Sequence, residues 1–478
     1  MSSGSAGRRV HPQSQPGRSA LSRSRTREGA GACLPVGTPA PQQPRIATPA
    51  SLTGLLGEFG CCFTAPTFAT FCALACGFLA QSGRRTVCGM LVGARLSRVW
   101  SHHRAHRFFS AARWSVSAVS AVLARLIVTL LVEDGEPVTI AIDDTLFHRR
   151  GPKVHAVSWF HDGSAAGARK IGYGNNWVIA AIVVRLPFLD RPLALPAGFA
   201  LVCKGVDDSR LVLARRLVEQ LATTLPGRVI DVVADSAYAG RSLRGLPATI
   251  TWTTRLRSNA ALYDLAPPRT GRRGRPRLKG QRLPALAQLA DSAVFTATRV
   301  HRYGHTTTVQ TSVRRCLWYG VLGPQQVQVV IVRDRDTTSG YGIALVSTDL
   351  SASPAQIIER YAARWSIEVA IEDAKQITGV GQARNRLPAA VARTVPFELV
   401  ISSLAICWYA LAGHQPDDVT AARQLAPWYR SKTQPSVADM IAKLRRVIIA
   451  TQFQREHPEP ATPREISILR LAWANAAA

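Results

Sequence analysis

Acidic residues are scarce in this chain: 30 Asp and Glu stand against 59 Lys and Arg in 478 residues, a formal charge of +29. A field of that sign favours polyanions, because cations that replace condensed counterions on phosphates gain free energy. A merely solubilising basic surface is the blander reading, and a 47% hydrophobic content argues for a chain that also folds around a large core. The nine cysteines are odd in number and lack both a disulfide-like pattern and any C-x-x-C pair. That excludes a disulfide framework and a zinc finger, and leaves buried thiols in a reducing cytoplasm. No Gly-x-Ser-x-Gly elbow accompanies His148, His155 and His161, so a serine hydrolase is not supported, and those histidines fit strand edges or a cleft wall. Gly172-Tyr-Gly174 lacks a following Gly-Lys-Ser/Thr, so neither is a nucleotide-binding loop. A secretory leader is also missing. Phe59 to Ala80 carries no charge, but Pro66 and its Thr, Cys and Gly content suit a buried helix pair better than a membrane span, and Arg125 interrupts the apolar run Val116–Val132.

What is present divides the chain by texture. Residues 1–50 are rich in Pro, Gly, Ser and Arg with Glu28 as their one acid, a composition that predicts a disordered basic tail. Residues 51–135 read as a helical N-terminal domain. Within it Ser97–Arg113 mixes His and Arg with Trp100, Phe108 and Phe109, which fits either a DNA-backbone contact or an amphipathic helix with a solvated face. The period then changes. Val138–Asp143 predicts a short buried strand, followed by strands at Val154–Phe160, Trp177–Leu186, Arg228–Asp235 and Thr249–Leu256, with a helix over Asp208–Thr224 capped by Asp207 and Asp208. From about 257 to 340 the alternation predicts an inserted, mostly β segment, opened by the basic loop Pro267–Gly280. Ile343–Ser347 is a further strand. Pro354 starts a long helix that runs through Lys375, Ala389–Leu411 is a second, very apolar helix, and residues 413–478 form a C-terminal helical region. No internal repeat is visible.

Asp143 and Asp235 both follow apolar strands, and carboxylates there are costly unless something neutralises them. A divalent cation would do so. Magnesium takes carboxylate oxygens and keeps waters and substrate phosphates as its other ligands, and two such ions activate an attacking hydroxyl and stabilise the leaving oxygen at phosphorus. Asp is also an ordinary turn residue, so either acid alone would be unremarkable. In 361–375, Tyr361, Arg364, Glu368, Glu372 and Lys375 fall at offsets that share one helix face, setting acids between cations. By spacing alone this suits a phosphate-gripping metal site or a solvated face laced with ion pairs.

The spacing Tyr361-x-x-Arg364-x-x-x-Glu368-x-x-x-x-x-x-Lys375 resembles the Y-R-E-K signature of a group of bacterial insertion-sequence transposases of the DDE type. Ile142-Asp143-Asp144-Thr145 is similar to the group's first-aspartate strand, where the acid precedes any residue and then Ser or Thr. Ala234-Asp235-Ser236-Ala237-Tyr238 is similar to its second-aspartate motif, and a β-rich insertion before the Glu is typical. The likeness covers about 137–410. It implies an α/β fold: an RNase H-like mixed sheet flanked by helices over 136–412, interrupted by the insertion. It implies catalytic Asp143, Asp235 and Glu368 holding two magnesium ions, with manganese able to substitute, and cleavage at transposon ends followed by strand transfer. Tyr361, Arg364 and Lys375 would grip DNA. Glu372 is the alternative third acid and Asp144 the alternative first, and strand alternation lets only one of Asp143 and Asp144 face a metal. Tyr341 and Trp318 are the nearest aromatics for a flipped base. Arg272, Arg273, Arg275 and Arg277 surround a Gly-Arg-Pro core similar to minor-groove hooks. The expected partners are double-stranded DNA, as ends and target, and a second copy of the chain. The expected location is the bacterial cytoplasm at the nucleoid, with no membrane. An end-binding regulator that does not cut, or another RNase H-like nuclease, is the alternative reading.

Overall fold

A computed structural model describes residues 46–456, except 164, 166–168, 207–208, 269–274, 335–336 and 338–339, together with 462–467. The basic tail to residue 45, Asp207 and Asp208, and Arg272 and Arg273 therefore lie outside the described residues.

Five helices come first: α1 (Ala50–Gly57), α2 (Ala65–Ala80), α3 (Val87–Gly93), α4 (His102–Ser110) and α5 (Val116–Leu131). Thr86 and Ser115 cap α3 and α5 by accepting from the backbone N–H three residues on. Their apolar faces turn inward. Trp100, Phe108 and Phe109 are buried, and both phenylalanines meet Phe397 edge-on. The aromatic half of Ser97–Arg113 is thus core, while His102, His103 and Arg107 stay exposed.

The strands follow: β1 (Val138–His148), β2 (Ser158–His161), β3 (Ile171–Val184) and β4 (Leu193–Leu201). Helix α6 (Arg210–Thr224) leads to β5 (Ile230–Ala234) and β6 (Ile250–Arg255). β1 pairs antiparallel with β3, and β3 antiparallel with β4, while β5 runs parallel to β1 and β6 parallel to β5. An antiparallel meander joined to two parallel strands, with helices on its faces, is the RNase H-like core expected. Sequence reading missed β4, where Pro196 and Gly198 disguise a strand that bulges at Ala180/Ala181 of its partner.

The predicted insertion comprises α7 (Leu286–Asp291), β7 (Thr296–Arg302), β8 (His305–Leu317), α8 (Tyr319–Leu322) and β9 (Gln326–Arg333), after which comes β10 (Ile343–Ser347). These strands do not form a separate sheet. β10 pairs with β6, and β9, β8 and β7 continue outward, giving one sheet of order β2-β3-β1-β5-β6-β10-β9-β8-β7 with β4 on β3. Both faces of β9 are covered. Val329 and Ile331 join the main core, while Val330 and Val332 join a second cluster with Ile357 and Ile358.

The predicted helix from Pro354 to Lys375 is two helices, α9 (Pro354–Ala363) and α10 (Trp365–Gln376), interrupted at Arg364. Ser353 and Gln356 form a capping box at the start of α9, with Pro354 in the first turn. α11 (Pro388–Trp408), continued by a π turn to Gly413, is long and apolar enough to cross a membrane, and 78% of its most apolar stretch is buried against the protein. α12 (Asp418–Leu425) and α13 (Val437–Glu456) follow, and α13 packs on α2 and α11.

Candidate functional site

Asp143 does not end its strand. β1 runs on to His148, paired with β3 throughout, so Asp143 faces Ile179 and Asp144 faces Val178. What ends at Asp143 is the parallel ladder: the last β1–β5 pair is Ile142 with Ala234. Asp143 and Asp235 therefore follow neighbouring positions on adjacent strands, where the two chains begin to separate. The apolar runs Val138–Ile142 and Ile230–Ala234 dictate this, because both strands are buried on both faces.

The adjacent acids at the first position have different surroundings. Asp144 is saturated by protein donors: Arg210 Nη1 at 2.6 Å and Asn176 Nδ2 at 3.0 Å on one oxygen, Tyr238 Oη at 2.9 Å on the other. Asp143 accepts one bond, from the backbone N–H of Asp144 at 2.8 Å. Burial pushes its carboxyl up to about 7, with the Asp144 N–H and Arg364 opposing and Glu368 and Asp144 adding to the rise. Asp143 is thus the acid left without a neutralising contact, and strand alternation turns Asp144 away into α6, β3 and the second-aspartate motif.

Asp235 is fixed by its turn. Its carboxylate accepts from Ala237 N–H at 2.8 Å, and its carbonyl accepts from Tyr238 N–H and from Thr254 Oγ1. Glu368 lies in the first turn of α10, paired with Arg364 at 2.7 Å. Arg364 sits at the α9–α10 junction, with its guanidinium carbon 5.6 Å from the Tyr361 ring centre. Burial would lower the Arg364 pKa, but Glu368, Tyr361 and Asp143 raise it above the usual value. Burial raises that of Tyr361, and Asp235 adds to the rise. Lys375, at the other end of α10, donates to Thr145 Oγ1 at 2.6 Å beside the Phe147 ring, and burial lowers its pKa while Asp162 and Asp143 oppose. The fold therefore gathers Asp143, Asp235, Tyr361, Arg364, Glu368 and Lys375 around one spot.

Other expected residues stand elsewhere. Glu372 is exposed and accepts from Gln376 Nε2 at 2.8 Å. Arg275 and Arg277 are exposed in the loop before Leu283, and no described contact joins them to the acids. Trp318 and Tyr341 both pack partly buried against the core. His148 pairs with Asp162 at 3.1 Å, and His155 donates its backbone N–H to Arg386 O. A cavity of about 570 Å³ lies against α10, with Val369, Ala370 and Asp373 among its lining residues.

Sequence reading missed the partners of Asp144 on α6 and β3, and a buried ion cluster behind the site in which Arg360 of α9 holds Asp231 at 3.0 Å and Asp349 at 2.7 Å. Only the Tyr238 of the second-aspartate motif hinted at the first, and nothing local marks the second. Among the described residues, no three His, Cys, Asp or Glu side chains gather tightly enough to hold a metal ion as they stand, and Glu368 is paired with Arg364.

No curated protein matches the chain significantly. A family model described as DDE superfamily endonuclease matches residues 58–324, which span Asp143 and Asp235 and stop short of Glu368. That match covers more than half of the 478 residues, and the chain belongs to the DDE superfamily of endonucleases.

Proposed function

We propose that the chain is a transposase of bacterial insertion-sequence type, which cuts DNA at the ends of its element and joins the freed 3′-hydroxyl to target DNA. The observation that carries this reading is the end of the parallel β1–β5 ladder at Ile142 and Ala234, which leaves Asp143 and Asp235 at the next positions of adjacent strands, with Glu368 within electrostatic reach of Asp143.

The residues fit a divalent cation. Asp143 is a desolvated carboxylate with a raised pKa and no cationic side chain bonded to it, which is the environment a hard cation relieves. Asp143, Asp235 and Glu368 would hold magnesium or manganese, which would supply activation of the attacking hydroxyl and charge neutralisation at phosphorus. The chain's own side chains do the rest. Arg364 is placed to exchange Glu368 for a substrate phosphate, and Lys375 and Tyr361 to orient the backbone on either side. Asp144 holds Tyr238, and through that turn the orientation of Asp235.

We assign the helices of 51–135 and the insertion at 257–340 to DNA contact around this core, with residues 1–50 as a basic tail. We also assign a homodimer bridging paired ends, at the nucleoid. The Arg364–Glu368 pair favours one second reading, an end-binding protein that does not cut. Incubation with magnesium and DNA carrying the element's own ends separates the two. Cleavage by the wild type, lost in Glu368→Gln with end binding retained, is expected. Undiminished cleavage by Glu368→Gln would overturn the assignment.

A further inference from the structure

We propose that a basic pocket between α4, the loop after β1 and the segment after α10 binds the phosphodiester backbone of duplex DNA on one flank of the acids, a proposal that rests on the nuclease reading. The pocket has a volume of about 560 Å³, and His106, Lys153, His155, Arg384, Arg386 and Leu387 are among its lining residues. No acid lines it. Lys153, Arg384 and Arg386 are exposed, and no described carboxylate pairs with any of them. Arg215, Arg302 and Arg314 elsewhere on the surface are, by contrast, each paired with a carboxylate.

The scaffold beneath these cations is fixed. His155 donates its N–H to Arg386 O at 3.0 Å, and its own carbonyl accepts from Asn175 Nδ2 at 2.9 Å. Arg149 spans Asn175 Oδ1 at 3.1 Å and Gly381 O at 2.5 Å. Asn385 is bonded to the Thr394 hydroxyl of α11. Arginines on an anchored backbone need only their side chains ordered on meeting a phosphate, whereas those of a mobile loop need the backbone ordered as well. Leu387, 60% exposed in the middle of the cations, offers an apolar contact for deoxyribose.

Continuity with the acids selects the ligand. Lys375 reaches Thr145 just past Asp143, and the segment bearing Arg384 and Arg386 leaves the same helix and lies along the outer half of β1, with Gly381 against Phe147. From Asp143 to His148 β1 covers about 17 Å at ~3.3 Å per residue. A duplex advances ~3.4 Å along its axis per base pair, so one lying along β1 from the acids would present about five base pairs over that distance. A small anion would need only one of these cations, whereas a row of them suits a polyanion.

The test measures binding without metal, so that its outcome is independent of cutting. The probe is a mixed-sequence duplex of about 30 base pairs, titrated by fluorescence anisotropy in EDTA over a range of salt. The triple variant Lys153→Ala/Arg384→Ala/Arg386→Ala is compared with Arg423→Ala/Arg430→Ala/Arg464→Ala, which removes equal charge from exposed positions elsewhere. The pocket variant should bind about tenfold or more weakly and lose about two to three from the slope of log affinity against log salt, while the control stays within about twofold. Equal losses in both variants, or none in the pocket variant, would overturn the proposal. Should the wild type fail to cut DNA with magnesium while the pocket variant loses affinity, the nuclease reading fails and the pocket stands as a DNA contact of its own.

Discussion

Tyr238 donates its phenolic hydrogen to Asp144 Oδ1 at 2.9 Å, tying the turn after β5 to the strand that carries Asp143. Tyr238 is buried, and Asp144 with burial holds its pKa far above the usual phenol value, so the hydroxyl remains a donor across the working pH range. Asp144 also receives Arg210 and Asn176, which makes it the point where β1, β3, α6 and the second-aspartate motif meet.

The neighbouring acids should therefore answer oppositely to removal. Asp144→Ala leaves Arg210 and Tyr238 without their acceptor and should cost about 2–3 kcal/mol, the exposure of Arg210 tempering the loss. Asp143→Asn removes a carboxylate that burial penalises, and should leave stability unchanged or raise it while ending cleavage. Urea denaturation in EDTA reads both. A larger loss from Asp143→Asn than from Asp144→Ala would contradict the division of roles.

Glu368 cannot serve a metal and Arg364 equally. Arg364→Ala should release about 1 kcal/mol of pairing and lower the half-saturating magnesium concentration roughly fivefold, while weakening DNA binding. Calorimetric titration with magnesium, without DNA, checks the first effect. Weaker metal binding in Arg364→Ala would mean that the arginine organises Glu368 and does not compete for it.

Gly381 has φ +84°, and a Cβ there would stand 2.2 Å from Phe147 Cδ1. Gly381→Ala should destabilise by about 2–4 kcal/mol, part from the left-handed backbone and part from the clash. Adding Phe147→Ala should return the clash component only. Thermal melts of both variants test this, and a melt for Gly381→Ala within a degree of wild type would refute it.

Glu398 of α11 is fully buried and accepts from Gly381 N–H at 2.7 Å. Burial pushes its carboxyl up to about 8, against that N–H and Arg149, which lower it. With the folded pKa above the unfolded one, the folded state keeps a proton that the unfolded chain has released. Stability from this group is present below about 4.5 and is lost as pH rises toward 8. Glu398→Gln retains an acceptor for Gly381 and should flatten that loss, gaining on the order of 2–4 kcal/mol over wild type near pH 8. Denaturation curves at several pH values decide it. Parallel pH profiles for the two proteins would exclude the titration.

Much of the site was legible without coordinates, because each strand and helix carries its own signal. The apolar runs before Asp143 and Asp235 mark strands wherever they are packed, and Pro354 marks a helix start. The alternation in 293–333 marks β structure, although it cannot say that β9 will meet β10 and extend the main sheet. β1 looked short because Asp143 and Asp144 resemble a turn, and only pairing with β3 carries it through to His148.

The sequence by itself determined the identities and spacing of Tyr361, Arg364, Glu368 and Lys375, the two aspartate motifs and the basic balance, all of which are local or additive properties. Tertiary structure alone decided which acid of the Asp143–Asp144 pair is free. That choice depends on Arg210, Asn176 and Tyr238, donors from three separate segments whose convergence no local pattern encodes. It also broke the expected single helix at Arg364 and turned Glu368 onto that arginine, because α9 must cover the sheet extension while α10 packs on β1 and β4.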